Sequence, residues 1–223
     1  MKKKSILVAG LSIMIIASMA IAGTLAYFTN TKTANNTFTV GNVAITLNEA
    51  PVSKTGDTWT ADQEAARVTE NTYSNVYPGA VLPKDPTVTV DANSSDTYVR
   101  VKVTVSHAAA WKAACAAHNI TDLATIFGGH VEADWSRAAI TESAEADTIT
   151  YVYNYVGGEN AGRLAAGETT GALFTSVTIP GGFTNTELAA IGTGNGFTMN
   201  IVADAIQAEG FNSVTAAFAA FDA

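Results

Sequence analysis

Cysteine and charged residues are both scarce in this chain of 223 residues. The one cysteine, Cys115, excludes an intramolecular disulfide, and a chain of this length buries a core large enough to fold without one. Cys115 lies in the alanine-rich stretch AAAWKAACAAH, where a small buried thiol is a better interpretation than a nucleophile. Only 14% of the residues are charged and 48% are hydrophobic, which argues against disorder and indicates one domain with a sizeable core.

Basic residues are the rarer of the two charge types. Lysine and arginine number 12 against 20 aspartates and glutamates, which gives a formal net charge of −8. So acidic a surface repels phosphate backbones and anionic lipids. We therefore predict that nucleic acid is not a partner.

The chain also lacks the common catalytic and metal-binding motifs. Its three histidines, His107, His118 and His130, form no HExxH pattern, and no GxSxG, P-loop or strand-linked GxGxxG is present. The loop DANSSD (91–96) offers oxygens of the kind that calcium takes, but its spacing is not that of an EF-hand, and a solvated turn is the favoured interpretation. We predict a protein that is not an enzyme and has no cofactor.

The start of the chain has the three-part pattern of a secretory signal peptide. Three lysines precede an apolar run over residues 6–22, and the small residues Thr24 and Ala26 follow it. We predict cleavage between Ala26 and Tyr27, with a cut after Ala22 or an uncleaved anchor as the alternatives. The predicted location is extracellular, in the matrix or on the cell surface, with membrane contact only before processing. Loss of the three lysines makes the mature chain still more acidic.

Strand patterns dominate the remaining sequence. In TYVRVKVTVS (97–106) four valines alternate with polar residues, as in a half-buried antiparallel strand. In TFTVGNVAITL (37–47) the apolar residues change parity at Gly41-Asn42, which predicts a bulge or tight bend. Further strands are predicted over 85–90, 148–156, 172–180 and 197–206. In the second of these, one face is tyrosine and the other valine, so both faces are expected to be covered.

Helix signals are fewer. An alanine-rich helix is predicted over 107–119, with 121–127 extending or following it, and Thr186 is the expected cap of a short turn over 187–191. Ser213 is the expected N-cap of VTAAFAAF. Many strands, long connections and few helices predict a mainly β protein, an antiparallel β-sandwich with short helical decorations.

The string KKKSILVAG…AGTLAYFTNTKTANNTFTVGNVAITL resembles the N-terminus of the TasA/camelysin family of Gram-positive secreted proteins. In that family a signal peptide ends in a G-T-x-A element and an aromatic residue, and a threonine- or asparagine-rich arm leads into a strand. A second stretch, YPGAVLPKDPTVTVDANSSDTYVRVKVTV, is similar to the family's turn, strand, polar turn and long strand. The matching N-terminal positions are Gly23, Thr24, Ala26, Phe28, Phe38, Gly41, Val43, Ile45 and Leu47.

The resemblance implies a jelly-roll-like sandwich that assembles into extracellular, biofilm-type fibres after a dedicated signal peptidase of the SipW type removes the signal. It also implies that the arm of one copy completes a sheet of its neighbour, which yields a head-to-tail homopolymer. Residues 27–38 suit a donor strand because they contain no proline and their threonines favour extended structure. The predicted arm residues are Tyr27, Phe28, Thr29, Thr31, Thr33 and Phe38.

The predicted organisation is a signal peptide (1–26), an N-terminal arm (27–38) and one sandwich domain (39–223) with a helical insertion near 107–127. A merely disordered N-terminus is the alternative for the arm. For the function, the alternatives are a monomeric cell-surface module that binds a glycan or a host protein and, less favoured, a camelysin-like secreted peptidase. The peptidase activity has no zinc motif in this chain to support it.

Overall fold

The structure, a computed structural model, describes residues 42–194 and 196–223. The predicted cleavage residues Thr24, Ala26 and Tyr27 and the arm 27–38 lie outside the described residues, as does the predicted strand 37–47 up to Gly41. Within the described part of the chain, no helix combines the length and apolar character needed to cross a bilayer.

Short antiparallel strands make up most of the described secondary structure, with three α-helices and one 3₁₀ helix (Leu123–Ile126). The helices are α1 (Ala108–Ala117), α2 (Asn185–Ile191) and α3 (Val214–Phe221). The strands are β1 (Ile45–Asn48), β2 (Val52–Thr55), β3 (Thr58–Ala61), β4 (Val81–Pro83), β5 (Thr87–Val90), β6 (Thr97–Ser106), β7 (Phe127–Gly128), β8 (Trp135–Ser143), β9 (Thr148–Tyr155), β10 (Arg163–Leu164), β11 (Ser176–Thr178) and β12 (Met199–Gln207).

The first sheet is built around β6. This strand pairs with β12 on one side and with β9 on the other, and β9 pairs in turn with β8. β10 pairs with the first two residues of β6, on the same side of β6 as β9. The order across the sheet is therefore β12, β6, β9, β8, with β12 and β8 as its two edges.

The second sheet is a layer of shorter strands in two groups, which individual backbone hydrogen bonds link through residues 167–175. β1 pairs with β5, and β11 lies between β4 and β7. Hydrogen bonds from Lys84 N–H to the Thr175 carbonyl (3.1 Å) and from Thr170 N–H to the Val88 carbonyl (2.9 Å) connect the two parts. The order across this layer is β1, then β5 and β4, then residues 167–178, then β7. A separate hairpin, β2–β3, lies beside them.

The core lies between the two sheets, and the valine strand supplies its centre. Val99, Val101, Val103 and Val105 on β6 are at most 1% exposed, as the alternation predicted. Val88 and Val90 on β5 are fully buried opposite them, and aromatic side chains fill the remaining space. The predicted mainly β fold with antiparallel sheets and a few short helices is confirmed.

The helices follow the sequence signals with one correction. α1 occupies most of 107–119 and buries Trp111 and Cys115, while 121–127 forms a separate 3₁₀ helix rather than an extension. Ser213 caps α3, since its hydroxyl accepts the Ala216 N–H at 3.2 Å. The prediction that Thr186 caps the helix over 187–191 is wrong. Thr184 does so, because its hydroxyl accepts the Glu187 N–H in a reciprocal capping box.

Two predicted strands are shorter than expected, and several were not predicted. The 172–180 strand is reduced to β11, because Leu173 and Phe174 turn fully into the core and only the stretch that pairs with β4 and β7 is extended. Of the predicted strand over 37–47, the described part forms a strand only from Ile45, where β1 begins. The hairpin β2–β3 was missed because each of its strands is only four residues long, and the edge strand β8 was missed because it has no clear alternation of apolar and polar residues.

α3 covers one end of the outer face of the first sheet. Tyr98, Val156 and Ile206 pack there against Val214 and Phe218. This explains why both faces of the predicted strand 148–156 carry apolar residues: the tyrosines face the core, and Val156, directly after β9, packs with the residues of the helix.

Arg100, on β6, is only 5% exposed beneath α3. Its guanidinium donates to Asp204 (2.8 Å) and to both oxygens of Asp222 (2.6 and 2.7 Å). The rings of Phe218 and Phe221 lie over the guanidinium carbon, at 4.5 and 5.1 Å. The helix is therefore fastened to the sheet by charge as well as by apolar contact.

Candidate functional site

A groove of about 850 Å³ lies where the edges of the two sheets approach each other. β1 of the second sheet bounds one side and β12 of the first sheet bounds the other. The segment 69–76 and the last turn of α2 complete its walls. Four parts of the chain that are distant in sequence thus meet at one concave surface.

The β12 side of the groove is an open strand edge. The Ser106 N–H donates to the Thr198 carbonyl (3.0 Å) and the Ala208 N–H to the Asp96 carbonyl (2.8 Å), so even-numbered residues of β12 face β6. In an antiparallel ladder the alternate residues turn their N–H and C=O groups the other way. The backbone groups of Met199, Ile201, Ala203, Ala205 and Gln207 therefore point away from the sheet, and no described strand pairs with them.

The β1 side has the same property over a shorter length. The Asp91 N–H donates to the Ala44 carbonyl (2.9 Å), so even-numbered residues of β1 face β5 and the backbone of Ile45 and Leu47 points outward. Beyond them, Glu49 exchanges two backbone hydrogen bonds with Val68 (2.9 and 2.8 Å), which ends the open stretch. Among the described residues, the outward groups of Ile45 and Leu47 have no strand beside them.

The groove has a mixed lining, in which the 69–76 wall contributes mostly polar side chains such as Glu70, Asn71 and Asn75. Apolar side chains from both edges and from α2 line it, among them Leu47, Met199, Ile201, Leu188 and Phe197. At one end, the polar end, Lys84 donates to Glu49 at 2.7 Å, with the two side chains 11% and 5% exposed. A buried and paired charge of this kind keeps a fixed position, so the polar end is preorganised.

Tyr73 lies beside that ion pair. Its hydroxyl donates to the Pro83 carbonyl. Burial, followed by the negative charges of Glu49 and Asp85, raises the pKa of the Tyr73 hydroxyl far above its ordinary value, so it stays a neutral donor. This hydrogen bond ties the 69–76 wall to β4.

This arrangement is suited to binding an extended segment. An open edge offers donors and acceptors spaced along a strand, and an added strand satisfies them while its side chains enter the adjoining groove. The apolar walls accept alternate apolar side chains of such a segment, and the polar end accepts an amide, hydroxyl or charged group.

The residues weighed for chemistry in the sequence do not meet at one place. Burial raises the pKa of the Cys115 thiol, which is 4% exposed, so it is a poor nucleophile. His107 and His118 flank α1, and the His130 Nδ1–H donates to the Leu173 carbonyl (2.8 Å) on another part of the fold. Across residues 42–194 and 196–223, no cluster of three His, Cys, Asp or Glu is arranged to hold a metal.

The DANSSD loop is a turn held by hydrogen bonds within the fold. The Ser94 N–H donates to the Asp91 carbonyl (2.9 Å), and the Ser95 N–H donates to the Asn42 carbonyl (2.8 Å). The Asp96 carboxylate pairs with Arg163 at 2.9 Å. These contacts match the turn interpretation of the loop.

Sequence reasoning did not find the groove. A strand over 197–206 was predicted, but nothing local indicates that β12 is an edge strand or that β1 lies opposite it. Comparisons with protein-family models, with curated proteins and with solved structures found no match for this chain.

Proposed function

We propose that the protein is a secreted structural protein that assembles into extracellular, matrix-type fibres, in which residues 27–38 of one copy add as a strand to the groove of the next. The observation that carries this proposal is the pair of open edges, β12 and β1, on either side of one partly apolar groove. Addition of an arm to the next groove leaves one free groove at one end of the assembly and one free arm at the other, so growth is head-to-tail and does not close on itself.

Charge favours an arm as the occupant of the groove. All 20 carboxylate side chains lie between residues 49 and 222, whereas residues 27–41 contain none and carry one positive charge, on Lys32. Two sandwich bodies repel each other, while the arm approaches a neighbouring body without like-charge repulsion. The outermost aromatic residues of the arm, Tyr27, Phe28 and Phe38, suit the apolar walls of the groove.

The test compares the processed chain with a variant that lacks residues 27–38. The processed chain is expected to have the intact mass of a chain that starts at Tyr27 and to grow into filaments on concentration. The deletion variant is expected to stay monomeric. A synthetic peptide of residues 27–38 should bind the deletion variant and cap filaments of the full chain, and a peptide of scrambled order should do neither. Filaments of the deletion variant, or strict monomers of the processed chain, would contradict the proposal.

The groove also supports a second candidate, a monomeric surface module that binds a glycan or a host protein. Its volume lies within the range of ordinary ligand sites, and its mix of apolar walls and a polar end is typical of them. In that case the processed chain stays monomeric at all concentrations, and the deletion of 27–38 leaves ligand binding unchanged. The oligomeric state of the two chains therefore separates the candidates.

A further inference from the structure

The open side of β1 extends back to Val43, close to the point where the described residues begin. The carbonyls of Asn42 and Ala44 accept N–H groups of the 91–95 loop, at 2.8 and 2.9 Å. Because alternate residues of an extended chain turn their backbone groups to opposite sides, the N–H and C=O of Val43 point to the open side, as those of Ile45 do. The edge therefore offers bonding groups from the first residues of the domain.

The sequence immediately before this edge has the pattern of a hairpin. The apolar residues Phe38 and Val40 lie at even positions, whereas Val43 and Ile45 lie at odd positions. The parity changes at Gly41-Asn42, and glycine followed by asparagine is a common two-residue hairpin loop, with glycine at the first position of a type II′ turn. Such a loop places Val40 opposite Val43 and Phe38 opposite Ile45, so all four apolar side chains share one face.

The hairpin pattern and the open edge agree in phase. The residues that flank a two-residue hairpin loop form a hydrogen-bonded pair, and Val43 has the direction that this pair requires, because the residues on either side of it bond the other way. Phe38 and Ile45 would form the next such pair, on the face where Ile45 packs against the core. A slip of one residue would turn Phe38 away from that face.

We propose that residues 36–40 fold back through a Gly41-Asn42 turn and add to β1 of their own chain, which closes the β1 side of the groove and leaves β12 as the edge for a neighbouring copy. The division of the two edges rests on the proposed function, whereas the hairpin itself does not. Residues 27–35 remain as the free arm. They are nine in number, and β12 is nine residues long.

Connectivity favours the chain's own segment over a second copy as the occupant of this edge. Only two residues separate 36–40 from its partner strand, so its effective concentration at the edge far exceeds that of a segment from another molecule. The segment NTFTV is uncharged, and its threonine, phenylalanine and valine residues favour extended structure. A strand from another copy would have to displace it.

The first experiment is a cysteine cross-link in the processed full-length chain, below the concentration of filament growth. In the hairpin, positions 37 and 46 form a pair without mutual hydrogen bonds, with Cα atoms about 4.5 Å apart, which a disulfide can bridge. Thr46 is exposed, so Thr37→Cys with Thr46→Cys is expected to form an intramolecular disulfide on mild oxidation. Asn36→Cys with Thr46→Cys is the matched control, because position 36 turns to the opposite face. Cys115 is 4% exposed and does not compete.

Intact mass and non-reducing gels measure the outcome. The 37–46 pair is expected to close about tenfold faster than the 36–46 pair, since only the first has the geometry of a disulfide. Equal rates for the two pairs, or cross-links between copies, would overturn the hairpin. Filament growth is scored separately on the wild type. The preferred cross-link in a chain that never forms filaments refutes the proposed function alone, and filaments without that preference refute the hairpin alone.

Thermal unfolding of the monomer gives a second readout. Phe38→Ala is expected to lower the Tm by roughly 2–4 °C, because Phe38 packs beside Ile45 in the hairpin. Thr39→Ala is the control and should leave the Tm unchanged, since the side chain at position 39 faces away from the core. An unchanged Tm of Phe38→Ala would contradict the hairpin.

Discussion

The two edges of the first sheet, β12 and β8, differ in how they meet their surroundings. β12 pairs with β6 in unbroken register over nine residues, and its first residues, from Met199 to Ile201, border the groove. β8 has a register shift between Arg137 and Ala139, and every residue after Trp135 is exposed. Bulges and charged side chains are common protections of an edge against pairing with another chain.

Ion pairs strengthen the contrast between the edges. Arg137 and Glu142 on β8 pair with Asp122 and Lys112 on the neighbouring helical segment, so charged groups lie along that edge. On β12 the charged side chain, Asp204, faces β6 and pairs with Arg100 and Lys102 (2.8 Å each), away from the open side. The same sheet thus has one edge that resists strand addition and one that permits it.

The largest expected effect comes from proline at matched positions of the two edges. Ala203 on β12 and Ile140 on β8 both direct their N–H away from the sheet, so proline removes an outward donor in each case without taking a ladder hydrogen bond. Ala203→Pro is expected to abolish filaments of the processed chain, and Ile140→Pro is expected to leave them. Electron microscopy and sedimentation check this, with circular dichroism to show that both variants fold.

A substitution of Arg100 tests what holds β12 in place. Arg100→Ala removes the more buried of the two partners of the partly buried Asp204 carboxylate, together with the cation under α3, and it is expected to cost about 2–3 kcal/mol of unfolding free energy. Urea titration measures this loss. Lys102→Ala, which removes the more exposed partner of the same carboxylate, is the control and should cost less than about 1 kcal/mol.

The same ion-pair cluster predicts how stability depends on acid. Burial alone would raise the pKa of the Asp204 carboxyl, but hydrogen bonds from Lys102 and Arg100 outweigh it, so the pKa lies below its usual value. Hydrogen bonds from Arg100 likewise lower the pKa of Asp222. Stability from both groups is therefore present above about pH 4 and lost as the pH falls through the lowered values. The Tm of Arg100→Ala should fall less steeply below pH 4 than that of the wild type.

A substitution in the arm (27–38) is expected to weaken filament assembly less than proline on β12 does. Phe28→Ala is expected to raise the concentration needed for filament growth about tenfold, which corresponds to the loss of one aromatic anchor of about 1.4 kcal/mol. The Tm of the monomer should not change. If the monomer is destabilised instead, Phe28 belongs to the core of its own chain and is not part of a donor strand.

The smallest expected effect concerns the protected edge. Glu142→Gln removes an ion pair whose two side chains are about half exposed, so the unfolding free energy should change by less than about 1 kcal/mol. Assembly should also be unaffected, as judged by sedimentation. A strong gain of assembly would show that charge, rather than the bulge, protects β8.

Sequence patterns predicted the strands and helices that bury one face and expose the other. β6 was found because alternate valines reach the core, and α3 was found because Ser213 caps an apolar helix. β8 was missed because its exposed residues follow no period, and its extended form comes from pairing with β9. The groove was beyond such patterns, since it depends on which strands lie at the edges.

The sequence by itself determined the mainly β class, the acidic charge and the separation of a carboxylate-free N-terminal stretch from an acidic body, because composition and short-range periodicity are local properties. Only the tertiary structure decided that β12 and β1 are open and that they border one groove. Those features arise from contacts between residues far apart in the chain, and such contacts are set by how the sheets pair and pack.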